Sequence, residues 1–379
     1  MLANLPALGT QLVLDLPALG GLIPALERRG FEVIGPTLRA GAIVYDVLHG
    51  LDDLPAGWTA DQEAGHYRLR PRGDAALFGY ALGPQGWKPY LHPPEVKLFE
   101  AQSNDGLFEI LSHRPAPPKR AFLGVRSCEL AAMAIQDRVL LGENYSDPVY
   151  HERRRGIFVV AVNCTVAAPT CFCASLKTGP PAQAGFDLAL TELTDADRHI
   201  FLAEAGSRAG AEVLAELGPA EASATLRLEA DKAIKKAMNG LTRKTKTAGL
   251  RELLYDKFES ARWEETAARC LACANCTMVC PTCFCTTVDD TSDITLRKAE
   301  RWRKWDSCFT QSFSYIHGGS VRMSVKARFR QRVTHKFAAW VDQFGSLGCV
   351  GCGRCLTWCP VGIDVTEELQ ALGAEGKSA

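Results

Sequence analysis

Two runs of four cysteines in the last third of the chain have residue types and spacings that suit metal binding. Each run reads C-x2-C-x2-C-x3-C-P, and the members are Cys270, Cys273, Cys276 and Cys280, then Cys349, Cys352, Cys355 and Cys359. Thiolates three residues apart let one short loop reach three corners of an iron–sulfur cluster, while its amides stabilise the negative charge. Zinc sites favour two C-x2-C pairs about 15–20 residues apart. The doubled motif therefore favours iron–sulfur clusters over zinc.

The arrangement of two such motifs is typical of bacterial two-cluster ferredoxins, in which the fourth cysteine of each motif binds the other cluster. We therefore expect two 4Fe–4S clusters with crossed ligand sets. The first set is Cys270, Cys273, Cys276 and Cys359, and the second is Cys349, Cys352, Cys355 and Cys280. A proline follows each fourth cysteine, so that a new helix can begin there without losing a needed N–H group.

Four earlier cysteines follow a strand–helix–strand pattern. The residue types predict strands at 121–125 and 157–162 with a helix at 128–141, which is typical of two parallel strands. Cys128 and Cys164 follow the two strands, and Cys171 and Cys173 lie on the next loop. Carboxyl ends of adjacent parallel strands meet at one sheet edge, and convergent soft ligands select iron–sulfur or zinc. We expect a third 4Fe–4S cluster here, although Cys128 alone would suit a buried structural cysteine.

Three cysteines remain outside these sets: Cys283, Cys285 and Cys308. The run Pro-Thr-Cys-Phe-Cys at 281–285 repeats the run at 169–173, which hints at related roles. A fourth cluster would need one more ligand, for which Asp306, His317 or His335 are candidates. The alternatives are that these thiols are inert neighbours of a cluster, or that an open iron site here binds substrate in a self-contained reductase.

The composition is that of a soluble protein with two or three domains. Of 379 residues, 47% are hydrophobic and 23% are charged, with 43 basic and 43 acidic residues. Fifteen cysteines are too few for a disulfide scaffold of this length. The start lacks the basic region of a secretory signal, and no uncharged apolar run is long enough to span a membrane. We therefore expect a cytoplasmic protein with reduced thiols and no membrane partner.

The hydrophobic pattern predicts an α+β fold with a change of character near residue 235. Residues 1–30 have helical spacing, and strand-like runs occur at 31–34, 42–47, 66–69, 76–81, 107–111, 186–190 and 225–228. Residues 82–120 otherwise suggest loops. Helical patterns dominate later, at 230–238, 250–270 and 325–344. We predict an α/β domain with a partly parallel sheet at 1–235, and a mostly helical, two-cluster ferredoxin-like domain at 236–379.

A basic segment lies between the two ferredoxin motifs. Residues 297–336 contain eleven lysines and arginines but only two acidic residues. Together with its aromatic residues this segment could bind nucleic acid, but we favour cations that offset the charge of reduced clusters or meet an acidic partner. The chain has no dinucleotide fingerprint, Walker A loop, H-E-x-x-H motif or nucleophile elbow. It therefore carries electron-transfer ligands without a recognisable module for substrate chemistry, which suggests a non-catalytic subunit.

An ordered series of motifs resembles a known family. The series comprises Arg126-Ser-Cys128-Glu-Leu, the Cys164, Cys171 and Cys173 set, Cys280-Pro-Thr-Cys283-Phe-Cys285, Ser307-Cys308-Phe309, and His335-Lys336 before the second ferredoxin motif. It is similar, over residues 85–365, to the beta subunit of cytosolic NADP-linked NiFe hydrogenases, also called sulfhydrogenases. The A subunit of anaerobic sulfite reductase looks similar.

The resemblance implies an electron-transfer role within a larger complex. In such a complex the chain would relay electrons between a flavin-containing, NAD(P)-binding subunit and the small and large subunits of a NiFe hydrogenase. The catalytic subunit of a sulfite or sulfur reductase is the alternative partner. The sequence leaves hydrogen, sulfur and sulfite open as the terminal substrate.

Overall fold

The computed structural model describes residues 5–104, 107–112, 116–142, 145–195 and 197–375. Its strands are β1 (Gln11–Asp15), β2 (Glu32–Arg39), β3 (Ala42–Val47), β4 (Trp58–Glu63), β5 (His66–Pro71), β6 (Glu95–Asn104), β7 (Leu107–Leu111), β8 (Arg120–Val125), β9 (Phe158–Val162), β10 (Leu188–Thr194), β11 (His199–Ala205), β12 (Ala220–Glu221), β13 (Thr286–Ser292), β14 (Lys298–Trp305), β15 (Tyr315–Ile316) and β16 (Gly319–Ser320). Its helices are α1 (Leu16–Gly20), α2 (Leu22–Glu27), α3 (Lys88–Leu91), α4 (Ser127–Leu140), α5 (Pro148–Arg154), α6 (Arg208–Glu216), α7 (Ala224–Asn239), α8 (Leu250–Asp256), α9 (Arg262–Arg269), α10 (Asn275–Met278), α11 (Val325–Thr334), α12 (Trp340–Phe344), α13 (Arg354–Thr357) and α14 (Val365–Ala374).

An eight-stranded mixed sheet forms the amino-terminal core. Its order is β12-β1-β11-β10-β9-β8-β2-β3, and the four central strands β10, β9, β8 and β2 run parallel. All five residues of β9 are buried, as expected for a parallel strand covered on both faces. The predicted strand–helix–strand unit is present as β8, α4 and β9, and the partly parallel sheet of the expected α+β fold is confirmed.

Three local predictions in the amino-terminal half were wrong. Residues 225–228 lie in α7, which begins because the Ser223 hydroxyl accepts a hydrogen bond from the Leu226 amide. The described part of residues 1–30 starts with β1, which pairs with β11, before two short helices begin. Residues 76–81 form a buried loop rather than a strand, because the Glu192 carboxylate accepts hydrogen bonds from the amides of Leu77 and Phe78.

A second, four-stranded antiparallel sheet was missed from the sequence. Its order is β13-β14-β6-β7, so residues 298–304 pair with residues 95–102, which lie about 200 positions earlier in the sequence. Only β7 was expected in this region. The sheet joins segments from both sides of residue 235, and that residue lies inside α7. The division into domains at 235 remains a prediction.

The carboxyl-terminal region is helical around a separate apolar core. The expected helix at 325–344 is continuous, with a π-helical turn at His335–Ala339 between α11 and α12. The expected helix at 250–270 is broken into α8 and α9. A compact group of aromatic side chains packs beside the cysteines, including Phe172, Trp263, Phe309, Phe329 and Phe337. No helix within the described ranges is long and apolar enough to cross a bilayer.

Candidate metal centres

The first predicted ligand set lines one cavity. Its walls include Cys270, Cys273, Cys276 and Cys359, together with Cys355. Positive φ angles at Ala272 and Ala274 curl the first motif into a loop. Two amides point at sulfur: the Ala272 N–H donates to Cys270 Sγ at 3.4 Å, and the Ile363 N–H donates to Cys359 Sγ at 3.3 Å. Such amide contacts stabilise negative charge on the sulfurs of a cluster.

The second predicted set lines a neighbouring cavity, whose walls include Cys280, Cys349, Cys352 and Cys355. The Gly351 amide donates to Cys349 Sγ at 3.4 Å, in the position that Ala272 occupies in the first motif. The first cavity thus combines three cysteines of the first motif with Cys355 and Cys359 of the second, and the second cavity combines three cysteines of the second motif with Cys280. Both linings are compatible with the crossed ligand sets, which remain a prediction. Burial raises the pKa of Cys276 and of Cys349 to about 12, so both thiols are protonated at neutral pH until a metal binds.

The structure brings the amino-terminal set together at one edge of the large sheet. Cys128 lies at the start of α4, Cys164 follows β9, and Cys171 and Cys173 lie on the loop beyond it. Burial raises the pKa of Cys173, and the nearby Cys171 and Cys164 thiols raise it further. Burial likewise raises the pKa of Cys128, and Cys352 and Cys173 add to the effect. Four soft ligands therefore converge in a site with little access to water.

Arg126 shows that this site suits an anion. Its side chain is 1% exposed, and its Nη2 atom donates to the carbonyls of Phe78 and Tyr80 at 2.8 and 3.2 Å. Among the described residues, neither Nε nor Nη1 has a hydrogen-bond partner. Burial opposes the charged form of Arg126, while Cys164 is the strongest attraction that favours it and helps to raise its pKa. A buried cation with unused donors is costly, and an anionic cluster on the four cysteines would compensate it.

Backbone contacts join the loop of the amino-terminal set to the second motif. The Phe172 amide donates to the Gly351 carbonyl at 2.8 Å, and the Cys171 thiol lies 3.8 Å from the Cys352 carbonyl oxygen. The Thr178 hydroxyl donates to the Val350 carbonyl at 2.7 Å. The second and third cysteine sites are therefore adjacent.

The three remaining cysteines lie beside the second cavity. The Cys283 amide donates to the Cys280 carbonyl at 3.4 Å, and burial, with a smaller contribution from Cys285, raises the pKa of Cys308 to about 11. Of the candidate fourth ligands, the Asp306 amide donates to the Cys285 carbonyl, the His335 ring packs edge-on against Phe284, and His317 is exposed near the turn between β15 and β16. In the part of the chain that the structure describes, no three His, Cys, Asp or Glu side chains are close enough to hold a single metal ion.

Five buried cations of these sites were not named individually from the sequence. Besides Arg126 they are Lys88, Arg332, Lys336 and Arg354, each at most 7% exposed. The Lys336 ammonium donates to the Thr282 hydroxyl at 2.7 Å and to the Gly348 carbonyl at 3.2 Å, beside the second cavity. Arg332 and Lys336 belong to the basic segment. The apolar residues beside them in the helix, such as Phe329 and Val333, were the available signal for burial.

Comparisons with known proteins identify a family for this chain and a domain type for its carboxyl-terminal cysteine motifs. Residues 269–363 match the family model described as a 4Fe-4S dicluster domain. The chain is 35% identical over 287 residues to the sulfhydrogenase 2 subunit beta of Pyrococcus furiosus, which covers 73% of this chain and 79% of that relative. No solved structure matches the chain significantly. The expected resemblance is confirmed: this is an iron–sulfur protein with a two-cluster domain, and it belongs to the family of sulfhydrogenase beta subunits.

Proposed function

We propose that this chain is the electron-relay subunit of a hydrogenase complex of the sulfhydrogenase type. It passes electrons between a flavin-containing, NAD(P)-binding subunit and the small and large subunits of a NiFe hydrogenase. Family membership supports the complex, and the observation that carries the relay is the continuous row of three cysteine sites. Cys355 lines both the first and the second cavity, and backbone contacts join the second site to the amino-terminal set.

The row supports three 4Fe–4S clusters with the crossed ligand sets given above. The first cluster binds Cys270, Cys273, Cys276 and Cys359; the second binds Cys349, Cys352, Cys355 and Cys280; the third binds Cys128, Cys164, Cys171 and Cys173. Cys283, Cys285 and Cys308 lie outside these sets in this proposal. When bound, the clusters supply one-electron chemistry, while the protein supplies thiolates, sulfur-directed amides and buried cations.

The exposed end of the row indicates where electrons enter or leave. Cys273 is exposed, whereas the other fourteen cysteines are buried or half-buried. Its neighbour Leu271 is 63% exposed. An exposed leucine beside the first cavity suits a contact with another subunit, because interface centres are depleted of charge.

Alternative functions receive less support. A sulfite or sulfur reductase complex would use the same relay, so only the catalytic partner distinguishes it. Nucleic-acid binding is disfavoured because much of the basic segment is engaged within the chain: Lys298 pairs with Glu100, and Arg301 with Asp290. We expect no turnover by the isolated chain, and a cytoplasmic location remains a prediction.

The test is anaerobic purification of the native complex followed by identification of its subunits. Co-purification with a flavoprotein and NiFe hydrogenase subunits is the expected result, whereas a sulfite reductase partner would establish the alternative. The isolated chain should contain about twelve iron atoms and as many acid-labile sulfides, from three cubane clusters. A preparation that contains zinc and no iron would contradict the relay itself.

A further inference from the structure

One arginine lies between the two ferredoxin-type cavities. Arg332 is on α11 and is 5% exposed. Its side chain lines the first cavity beside Cys276 and the second cavity beside Cys280, and Cys355 lines both with it. A single positive charge therefore faces both predicted clusters.

This charge has no carboxylate partner among the described residues. Arg330, two positions earlier on the same helix, pairs with Glu259 at 2.9 Å, but no such ion pair forms at Arg332. Its Nε atom is buried without a hydrogen-bond acceptor in the described chain. Burial disfavours the charged form of Arg332, but attraction to the Cys276 and Cys355 sulfurs is stronger than this effect. The pKa of Arg332 is therefore raised well above its usual value. The cysteines are thus its electrostatic partners.

We propose that Arg332 is a shared counter-charge that raises the reduction potentials of both ferredoxin-type clusters. The proposal rests on the ligand sets proposed above. A cluster with four thiolates is an anion, and its reduction adds one electron and a further negative charge. A fixed cation nearby stabilises the reduced form more than the oxidised form, and low local dielectric strengthens the effect. Because Arg332 faces both cavities, one side chain sets the two potentials together. Arg332 acts through its charge and is not a ligand of either cluster.

The experiment is an EPR-monitored redox titration of the anaerobically purified full chain and its Arg332→Gln variant. We expect both ferredoxin-type midpoints to become more negative, while the midpoint of the amino-terminal cluster stays unchanged. Loss of one signal in Cys128→Ala identifies that third cluster. Arg330→Gln is the matched control, because it removes the same charge from the same helix at a residue that lines neither cavity. It should shift none of the three midpoints.

Each outcome bears on the proposal. Unchanged midpoints in Arg332→Gln with full iron content would overturn it, and so would a shift in only one ferredoxin-type cluster. If Arg332→Gln loses iron, the Arg332→Lys variant decides. Full iron and nearly wild-type midpoints with lysine would support a requirement for charge, whereas iron loss with lysine would show that shape matters and would overturn the proposal. Failure of the wild-type chain to bind iron would instead refute the proposed clusters.

Discussion

Glu129 and Arg354 form an ion pair that solvent does not reach. The Arg354 Nη2 atom lies 2.7 Å from Glu129 Oε1, and the two side chains are 2% and 0% exposed. Glu129 is on α4, next to Cys128, and Arg354 is in the second ferredoxin motif, between Cys352 and Cys355. The pair therefore links the amino-terminal cysteine set to the second cavity through two oppositely charged side chains.

We predict that Glu129→Gln destabilises the protein strongly. Removing one partner leaves the Arg354 guanidinium buried without its counter-charge, which costs about 3–5 kcal/mol. Denaturant unfolding of the anaerobic protein measures the loss. Asp61→Asn is the control, because the Asp61–Arg70 pair is more than half exposed and contributes about 1 kcal/mol or less. Equal losses in the two variants would contradict a structural role for the buried pair.

Gly351 permits the close approach of the second motif to the amino-terminal loop. Its φ is +64°, and a Cβ atom added there would lie 2.7 Å from Cys173 N and from Phe172 C. Gly345 has a similar φ of +66°, but nothing lies within 4 Å of its added Cβ. The two glycines therefore separate the cost of backbone strain from the cost of a steric clash.

Gly351→Ala should lower the free energy of unfolding by more than Gly345→Ala does. Strain from a positive φ costs about 1–2 kcal/mol at either position. The clash at Gly351 adds about 1–3 kcal/mol, because two backbone segments must separate. Denaturant midpoints and iron content measure both effects, and we expect reduced iron only in Gly351→Ala. A loss at Gly345 as large as that at Gly351 would show that the close approach is unimportant.

The two-cluster domain was predictable because the signal of its cysteine motifs is local. Ligands such as Cys349 and Cys352 are three residues apart, so the sequence motif already constrains the loop that holds them. The strand–helix–strand unit that carries the amino-terminal set could also be predicted, because β8 and β9 are short apolar runs on either side of one helix. In both cases neighbouring residues carry most of the information.

The second sheet and the buried cations were not predictable in this way. Strand β6 is rich in charged residues, and its pairing with β14 is supported by contacts distant in sequence, such as Lys97 with Glu300 at 2.6 Å. Arg330 and Arg332 look alike in sequence, and only tertiary packing determines which of them is buried against the cysteines. Long-range contacts of this kind override local propensity.

Cys128→Ala tests the amino-terminal cluster. We expect a loss of about four iron atoms, the content of one cubane, because a buried alanine cannot replace the thiolate. Cys359→Ala is the reciprocal variant, and it should abolish the first cluster while leaving the amino-terminal signal intact. Iron and sulfide analysis with EPR measures both. Unchanged iron in Cys128→Ala would refute the third site.

Cys283 should tune the second cluster without binding iron. The close approach of Cys283 holds the pKa of Cys280 well below its usual value, while the pKa of Cys283 is raised well above its own. A donor to a ligand sulfur stabilises negative charge, so Cys283→Ala should make the second cluster's midpoint more negative at constant iron content. Cys283→Ser retains a donor, so its second-cluster midpoint should stay close to the wild-type value. A wild-type content of about sixteen iron atoms that falls by about four in Cys283→Ala would instead establish a fourth cluster.

Buried histidines make the stability of the protein sensitive to acid. His92 is 1% exposed, and neither ring nitrogen has a hydrogen-bond partner among the described residues. Burial, with a smaller contribution from Lys88, lowers the pKa of His92 to about 3. Burial likewise lowers the pKa of His335 to about 4. Below about pH 6.5 the unfolded chain binds protons that the folded chain excludes, so stability falls as the pH decreases.

We predict that His92→Phe reduces this acid sensitivity. The stability that depends on neutral His92 is fully present above about pH 6.5 and is lost progressively towards about pH 3, at up to about 1.4 kcal/mol per pH unit. Phenylalanine preserves the ring that stacks on Trp305 and cannot be protonated. Denaturant midpoints between about pH 7.5 and about pH 5.5, with cluster absorbance followed in parallel, give the slope. The exposed His66 provides the control, and His66→Phe should retain the wild-type slope. Identical slopes for His92→Phe and the wild type would show that His92 does not cause the acid sensitivity.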